Sequence, residues 1–224
     1  MNKHDQLNLF EIHKEKKNPK LWYKQSFLSI DVETTGLNKT KDRIIEIAWI
    51  IFCKGSVIAE KSYLCSVEEP IPTIITKITG ISNKMLEGKL NFSSYVDELL
   101  MDMKKTSFFV AYNASFDVGF INEEFNRLDK KLPLKPWIDP FVFIKRFDRY
   151  KKGKKLTDAT ARWGIKLDNA HRALSDAKAT GQLLYLLKDQ INCHNLDMLY
   201  EKQKKWKLEQ DENYKNYIKR RNYK

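Results

Sequence analysis

Ser26-Phe27-Leu28-Ser29-Ile30-Asp31-Val32-Glu33-Thr34-Thr35-Gly36 is the stretch on which the reading of this chain turns. Phe27 to Ile30 is an apolar run that ends in a polar, glycine-containing turn, as a buried strand does. Asp31 and Glu33 stand two positions apart at the end of that strand. On an extended chain, side chains two apart point to the same face. Two carboxylates on one face repel and raise each other's proton affinity unless a cation lies between them. Thr34, Thr35 and Gly36 then turn the chain, and a glycine there lets a substrate approach the backbone. A single acid is usually a helix cap or a solvated charge. Two acids closing an apolar strand do not fit that description.

Outward from this strand the chain alternates. Arg43 to Cys53 is a long β-branched run, with Val57 to Ser66 as its hairpin partner across Lys54-Gly55-Ser56. Pro70 to Gly88, interrupted by Pro72, Gly80 and Gly88, suits short helical turns. Ser93 to Met103 has helical spacing. Ser107 to Tyr112 is a further apolar strand that runs straight into a helix, Ala114 to Asp129, with Phe116, Phe120, Ile121 and Phe125 on one stripe. Trp137 to Asp139 is a last short strand. A basic stretch follows, with Lys145, Arg146, Arg149, Lys151, Lys152, Lys154 and Lys155, and then two helices, about Leu156 to Trp163 and Ala173 to Lys188. From Leu196 onward the pattern is a long surface helix with a basic end, whose apolar stripe is expected to pack on the core, with stacking of Trp206, Tyr214 and Tyr217 on nucleic acid as the alternative. No repeat with a period of 20–50 residues is visible. Together these elements predict a mixed α/β domain whose helices cover the sheet. Residues 1–24 are expected to form a flexible tail, 25–190 the main domain and 191–224 a basic helical extension.

Composition sets the outer bounds. The 224 residues allow one domain with extensions or two small ones. An apolar share of 42% and an aromatic share of 12% supply a core and exclude a mainly disordered or collagen-like chain. With 41 Lys and Arg against 29 Asp and Glu, the net charge is +12, which favours an anionic partner, most simply nucleic acid. Ribosomal and membrane-surface proteins share that bias. No run approaches the roughly 18 apolar residues of a membrane span. The start of the chain is charged and has no apolar signal core, so no secretory leader is expected. Cys53, Cys65 and Cys193 lie far apart with no C-x-x-C pair, which suits a reducing, cytoplasmic setting and argues against a cysteine-zinc site.

Two more acids join the first pair. Asp117 falls in the first turn of its helix, just after strand 107–112, and Asp176 falls early in the helix after His171. Five residues are about 140° apart on a helix, so His171 belongs on the preceding loop, where Asn169-Ala170 leads in. Oxygen-only ligands suit Mg²⁺ or Mn²⁺ and not zinc. Two such ions about 3.5–4 Å apart bind both the attacking and the leaving oxygen of a phosphodiester. A histidine ordinarily titrates near neutrality and can take the proton of an attacking water.

Ile30-Asp31-Val32-Glu33-Thr34-Thr35-Gly36-Leu37 resembles the first motif of the DEDD-type 3′–5′ exonucleases, the family of bacterial proofreading subunits. Ala111-Tyr112-Asn113-Ala114-Ser115-Phe116-Asp117 resembles the second. His171-Arg172-Ala173-Leu174-Ser175-Asp176-Ala177 resembles the third in its histidine-bearing, DEDDh form. Order and spacing agree, so the resemblance covers roughly Phe27 to Leu187. It implies an RNase H-like sheet, Asp31, Glu33, Asp117 and Asp176 as ligands of two Mg²⁺ or Mn²⁺ ions, and His171 as general base. None of these five positions departs from the pattern. Thr79-Gly80-Ile81 is similar to a short family segment beside the substrate. Thr34, Thr35, Gly80, Asn113 and Phe116 are the expected neighbours of the terminal nucleotide, with turn chemistry for the threonines and core packing for Phe116 as the plainer alternatives.

Gln6-Leu7-Asn8-Leu9-Phe10 resembles the peptide with which bacterial replication and repair proteins dock on the sliding clamp. Gln6, Leu7, Leu9 and Phe10 would fill a hydrophobic groove on that partner, and a clamp so held would raise the local concentration of enzyme at DNA. The alternative is an apolar patch that folds back on its own domain. The expected activity is 3′–5′ hydrolysis of single-stranded or frayed DNA, with the sliding clamp and a DNA polymerase as candidate partners and no membrane involvement. Two rivals stand beside it: an exoribonuclease of the oligoribonuclease or RNase T kind, and a clamp-associated binding module whose hydrolysis is incidental.

Overall fold

The computed structural model describes residues 20–168 and 170–222. Strand β1 (Ser26–Thr34) lies at the centre of a five-stranded sheet. β2 (Ile44–Cys53) pairs antiparallel with it, and β3 (Ser56–Leu64) pairs antiparallel with β2. On its other side β1 runs parallel to β4 (Phe108–Val110), which runs parallel to β5 (Trp137–Ile138), giving the order β3-β2-β1-β4-β5. This is the expected RNase H-like arrangement of a mixed sheet flanked by helices. The β2–β3 turn is Lys54-Gly55, both with positive φ (52° and 86°), the backbone that a two-residue hairpin needs to match strand twist.

The strand period of two assigns the two faces of β1. Leu28, Ile30 and Val32 pack with Leu99 and Met103 of α3 (Val96–Lys105) and with Phe120 and Ile121 of α4 (Ser115–Arg127). Phe27 packs on the other face with Phe52, Leu183 and Leu184, the leucines belonging to α7 (Ala173–Leu186). Ser29, Asp31 and Glu33 share that second face by parity. Ser29 Oγ donates to the Ala177 carbonyl at 2.7 Å, so α7 lies directly over β1. Gly181 makes the approach possible, because a Cβ there would meet Phe52 Cε2 at 2.2 Å.

The short helices α1 (Thr73–Thr79) and α2 (Asn83–Leu86) form a small third cluster in which Ile71, Ile81 and Leu86 pack on Ile45. Ile45 is next to Ile44, which pairs with Thr34, so this cluster lies at the end of the sheet where β1 terminates. Pro140–Phe147 forms α5, a helix absent from the expectation. Asp139, expected to be the last residue of a strand, instead caps α5 by accepting the Phe141 amide at 2.9 Å, and Pro140 occupies its first turn. α6 (Leu156–Arg162) and α8 (Lys188–Ile191) complete the layer over the second face.

The folded body begins earlier than expected, and the last helix packs on it. Residues 20–24, assigned to the tail, belong to the folded body: Trp22 is fully buried and its indole donates to the Cys193 carbonyl at 2.9 Å. α9 (Leu196–Asn222) packs as anticipated, with Leu199 fully buried and Trp206 edge-on to Phe143 and Phe147. Gln203 reaches the outer edge of the sheet, donating to the Trp137 carbonyl at 2.9 Å and accepting from the Asp139 amide at 2.6 Å. The clamp-like peptide, Gln6 to Phe10, lies outside the described residues. Among the described residues no helix is long and apolar enough to cross a membrane.

Candidate active site

Strand pairing opens the site. β1 and β4 are in register only from Phe27↔Phe108 to Ser29↔Val110, so beyond Ser29 the β4 side of β1 is free of strand. Asp117, in the first turn of α4, enters that opening, and its Oδ1 accepts the Val32 amide at 3.2 Å. Asp31 faces Ala48 across the β1–β2 pair, and Glu33 faces Glu46. From the α7 side, Asp176 descends toward the same strand end. Glu33, His171 and Asp176 each present a ligand atom within 4.8 Å of the others. Position along the chain therefore separates the five expected residues, and the fold brings them to one end of the sheet.

The electrostatics follow from this convergence. Burial, followed by the charges of Asp117, Asp176, Glu33 and Glu46, pushes the Asp31 carboxyl well above the usual range. Burial, with Asp176, Glu46 and Asp117, pushes Glu33 up to about 8. Asp117 rises to about 8 and Asp176 to about 6, burial again leading. A group of buried and half-buried carboxylates with raised proton affinity is a site that favours added positive charge. Asp176 Oδ1 is buried with no hydrogen-bond partner among the described residues. An orphaned carboxylate oxygen among converging carboxylates fits a hard divalent cation.

His171 precedes α7, in the loop, with φ at +65°. Its amide donates to Asp176 Oδ2 at 3.2 Å. The next residue anchors the loop to the sheet: Arg172 Nε and Nη2 donate to the two oxygens of Glu46 at 3.1 and 2.8 Å. Glu46 also accepts the Ala173 amide at 3.2 Å, an open donor at the helix start. Glu46 is only 1% exposed. Three further acids serve as struts. Glu124 is buried and takes Arg43 Nε at 2.8 Å and Arg127 at 3.0 Å, tying β2 to α4. Asp139 accepts the amides of Asn113 at 2.9 Å and Ala114 at 3.1 Å, fixing the entry to α4. Asp148 is held by Arg162 at 2.8 Å. The sequence reading missed Glu46, Arg172, Glu124 and Asp139. A lone carboxylate inside the apolar run Ile44-Ile45-Glu46-Ile47 was the signal for the first.

The expected substrate neighbours divide. Thr34 is buried and its hydroxyl donates to the Gly36 carbonyl at 2.6 Å, so turn chemistry occupies it. Thr35 Oγ accepts the Arg43 amide at 3.0 Å and lines a cleft of about 200 Å³ with Lys41, Glu68 and Pro72. Gly80 ends α1 with φ at +73° and is exposed. Asn113 is exposed with φ at +59°, beside the Asp139 strut. Phe116 is half-buried, its ring 4.8 Å from Phe120, so one face packs on the core.

Carboxylates gathered at one end of the sheet, with a histidine loop at their rim, form a candidate site for metal-assisted hydrolysis. The chain belongs to the exonuclease family, whose model matches residues 28–184. The PolC-type DNA polymerase III of Streptococcus suis is 35% identical over 175 residues, 78% of this chain and 12% of that protein. The chain thus spans about an eighth of the length of the curated relatives it matches. Among solved structures, Escherichia coli exonuclease I in complex with a dT13 oligonucleotide aligns at a TM-score of 0.66 with 22% identity, covering 75% of this chain and 42% of that one. The nuclease domain of 3′hExo, a DEDDh family member bound to rAMP, aligns at 0.63 with 17% identity, covering 76% and 94%.

Proposed function

We propose that this chain removes nucleotides from the 3′ end of DNA, single-stranded or frayed, and releases nucleoside 5′-monophosphates. The observation that carries the reading is the convergence of Asp31, Glu33, Asp117 and Asp176, with one Asp176 oxygen buried and unpartnered. These four residues would hold two Mg²⁺ or Mn²⁺ ions. Such ions would supply Lewis-acid stabilisation of the charge that develops on the phosphodiester. His171 accepts a proton from water as its oxygen bonds to phosphorus and the bond to the 3′-oxygen of the penultimate nucleotide breaks. Asp176 takes part through its bond to the His171 amide, which orients the loop. Thr35, Gly80, Asn113 and Phe116 border the terminal nucleotide, and the backbone of the Thr34 turn lies beside it. DNA is favoured over RNA by the kinship to a DNA polymerase.

The same kinship supports a polymerase partner, and Gln6, Leu7, Leu9 and Phe10 support docking on a sliding clamp. Oligonucleotides labelled at the 3′ or the 5′ end, of matched DNA and RNA sequence, test the activity with Mg²⁺ and with EDTA. Mononucleotide release from the 3′ label, a ladder from the 5′ label and silence in EDTA are expected. Release from the 5′ end, or stronger degradation of RNA, overturns the polarity or the substrate respectively. Loss of clamp capture in a Gln6/Leu9/Phe10 triple-alanine variant tests the docking peptide.

A further inference from the structure

Between residues 145 and 155 the chain carries seven cations and one carboxylate, Asp148. A charge run of this kind is ordinarily a solvated loop with no fixed shape. Here the shape is fixed. Asp148 is buried, paired with Arg162 at 2.8 Å and with Lys151 at 3.2 Å. Arg162 continues to the carbonyls of Lys152 and Gly153 at 3.1 and 2.9 Å. Asp158 accepts the Lys155 amide at 3.0 Å. The nearby acids are therefore taken up in holding the backbone, while Arg149, Lys152 and Lys155 are exposed and have no carboxylate partner among the described residues.

Two more observations point to a ligand. Tyr150 is 91% exposed, with the Arg149 guanidinium 5.4 Å from its ring. A flat aromatic face beside unpaired cations matches a partner with both π-surfaces and phosphates. The loop is also continuous with the active site: the Tyr112 hydroxyl donates to the Lys154 carbonyl at 2.5 Å, and Tyr112 leads directly into the Asn113–Asp117 segment.

We infer that residues 149–155 form a second contact surface for single-stranded nucleic acid, which grips the strand upstream of the nucleotide being removed. Lys152 and Lys155 meet phosphates, and Tyr150 stacks on a base. This rests on the exonuclease reading above for its geometry, but binding can be measured without turnover.

The test compares wild type with Tyr150→Ala and with the double variant Lys152→Ala/Lys155→Ala, all at exposed positions outside the catalytic cluster. Affinity for a 5′-fluorescein-labelled (dT)12 is read by anisotropy in EDTA across a salt series. Turnover is read with Mg²⁺ on (dT)12 and on the dinucleotide dTpdT. Tyr150→Ala is expected to weaken (dT)12 binding about tenfold, the scale of one lost stacking contact. The lysine pair is expected to flatten the slope of log affinity against log salt by about 1.4, roughly 0.7 per phosphate contact. KM on (dT)12 should rise in both variants while turnover of the dinucleotide is unchanged. Wild-type affinity and salt slope in both variants would overturn the inference and leave the exonuclease reading intact. Wild type that binds (dT)12 through this surface but never shortens it would overturn the exonuclease reading instead.

Discussion

Arg172 and Glu46 join the loop before α7 to the middle of the sheet, with both carboxylate oxygens of Glu46 engaged by one guanidinium. Glu46 faces Glu33 across the β1–β2 pair, so the residue that anchors the histidine loop is also the cross-strand neighbour of a candidate metal ligand. Glu46→Gln keeps the size and loses the charge-assisted fork. It is expected to lower kcat about 10- to 100-fold with little change in KM, because a small displacement of a catalytic group is costly. Steady-state kinetics on a labelled oligonucleotide check this, and an unaltered kcat would assign the pair to stability alone.

Asp31→Ala should abolish turnover, by at least about 10³-fold, and at the same time stabilise the metal-free protein at pH 8. The Asp31 carboxyl is pushed up by burial first and then by the charges of Asp117, Asp176, Glu33 and Glu46, so removing it removes a costly buried acid from a crowd of like charges. Thermal unfolding in EDTA measures the gain. A variant that melts lower than wild type there contradicts the picture of a carboxylate held at a cost in the metal-free site.

Metal-free protein should lose stability as pH rises from about 4 to about 8. Glu33 and Asp117 are pushed up to about 8 and Asp176 to about 6, above their unfolded values. The folded state therefore binds more protons than the unfolded one across that window, and the stability slope with pH is negative. Mg²⁺ at a hundred times its Kd should restore about 2.7 kcal/mol at pH 8, and much less at pH 5, where protons compete for the oxygens. Melting curves at the two pH values, with and without Mg²⁺, test both signs.

Gly181→Ala places a methyl 2.2 Å from Phe52 Cε2, well inside contact distance. The helix gains about 1 kcal/mol of propensity, but overpacking costs about 1–3 kcal/mol, so a net fall in melting temperature is expected. Adding Phe52→Leu should recover part of it. Failure of the double variant to recover would move the strain elsewhere.

Much of this architecture was legible because local pattern and tertiary role agreed. The apolar run before Asp31, the Lys54-Gly55 turn and the Phe116–Phe125 stripe each carry their structure in a few residues. α5 went unseen because Lys145 and Arg146 were read into the basic stretch that runs on to Lys155, although Asp139-Pro140 is a helix-start pair. The tail boundary was drawn too late because Leu21-Trp22-Tyr23 is only a short apolar patch behind a lysine-rich stretch, and the burial of Trp22 depends on Cys193, far along the chain. Asp31, Glu33, Asp117 and Asp176, which the fold gathers at one end of the sheet, could be singled out from motif and spacing. Glu46, Glu124 and Asp139 were not, since each acts through a partner that only folding supplies.

The amide side chain of Gln203 has a wider consequence. By bonding to both sides of Ile138 it occupies the outermost strand where a foreign chain would otherwise add itself. A version shortened at residue 190 would bare that margin together with the seat of Leu199 and Trp206. It should self-associate by strand addition even if its catalytic centre were unharmed, so the terminal helix acts as a seal on the domain and is not a detachable arm.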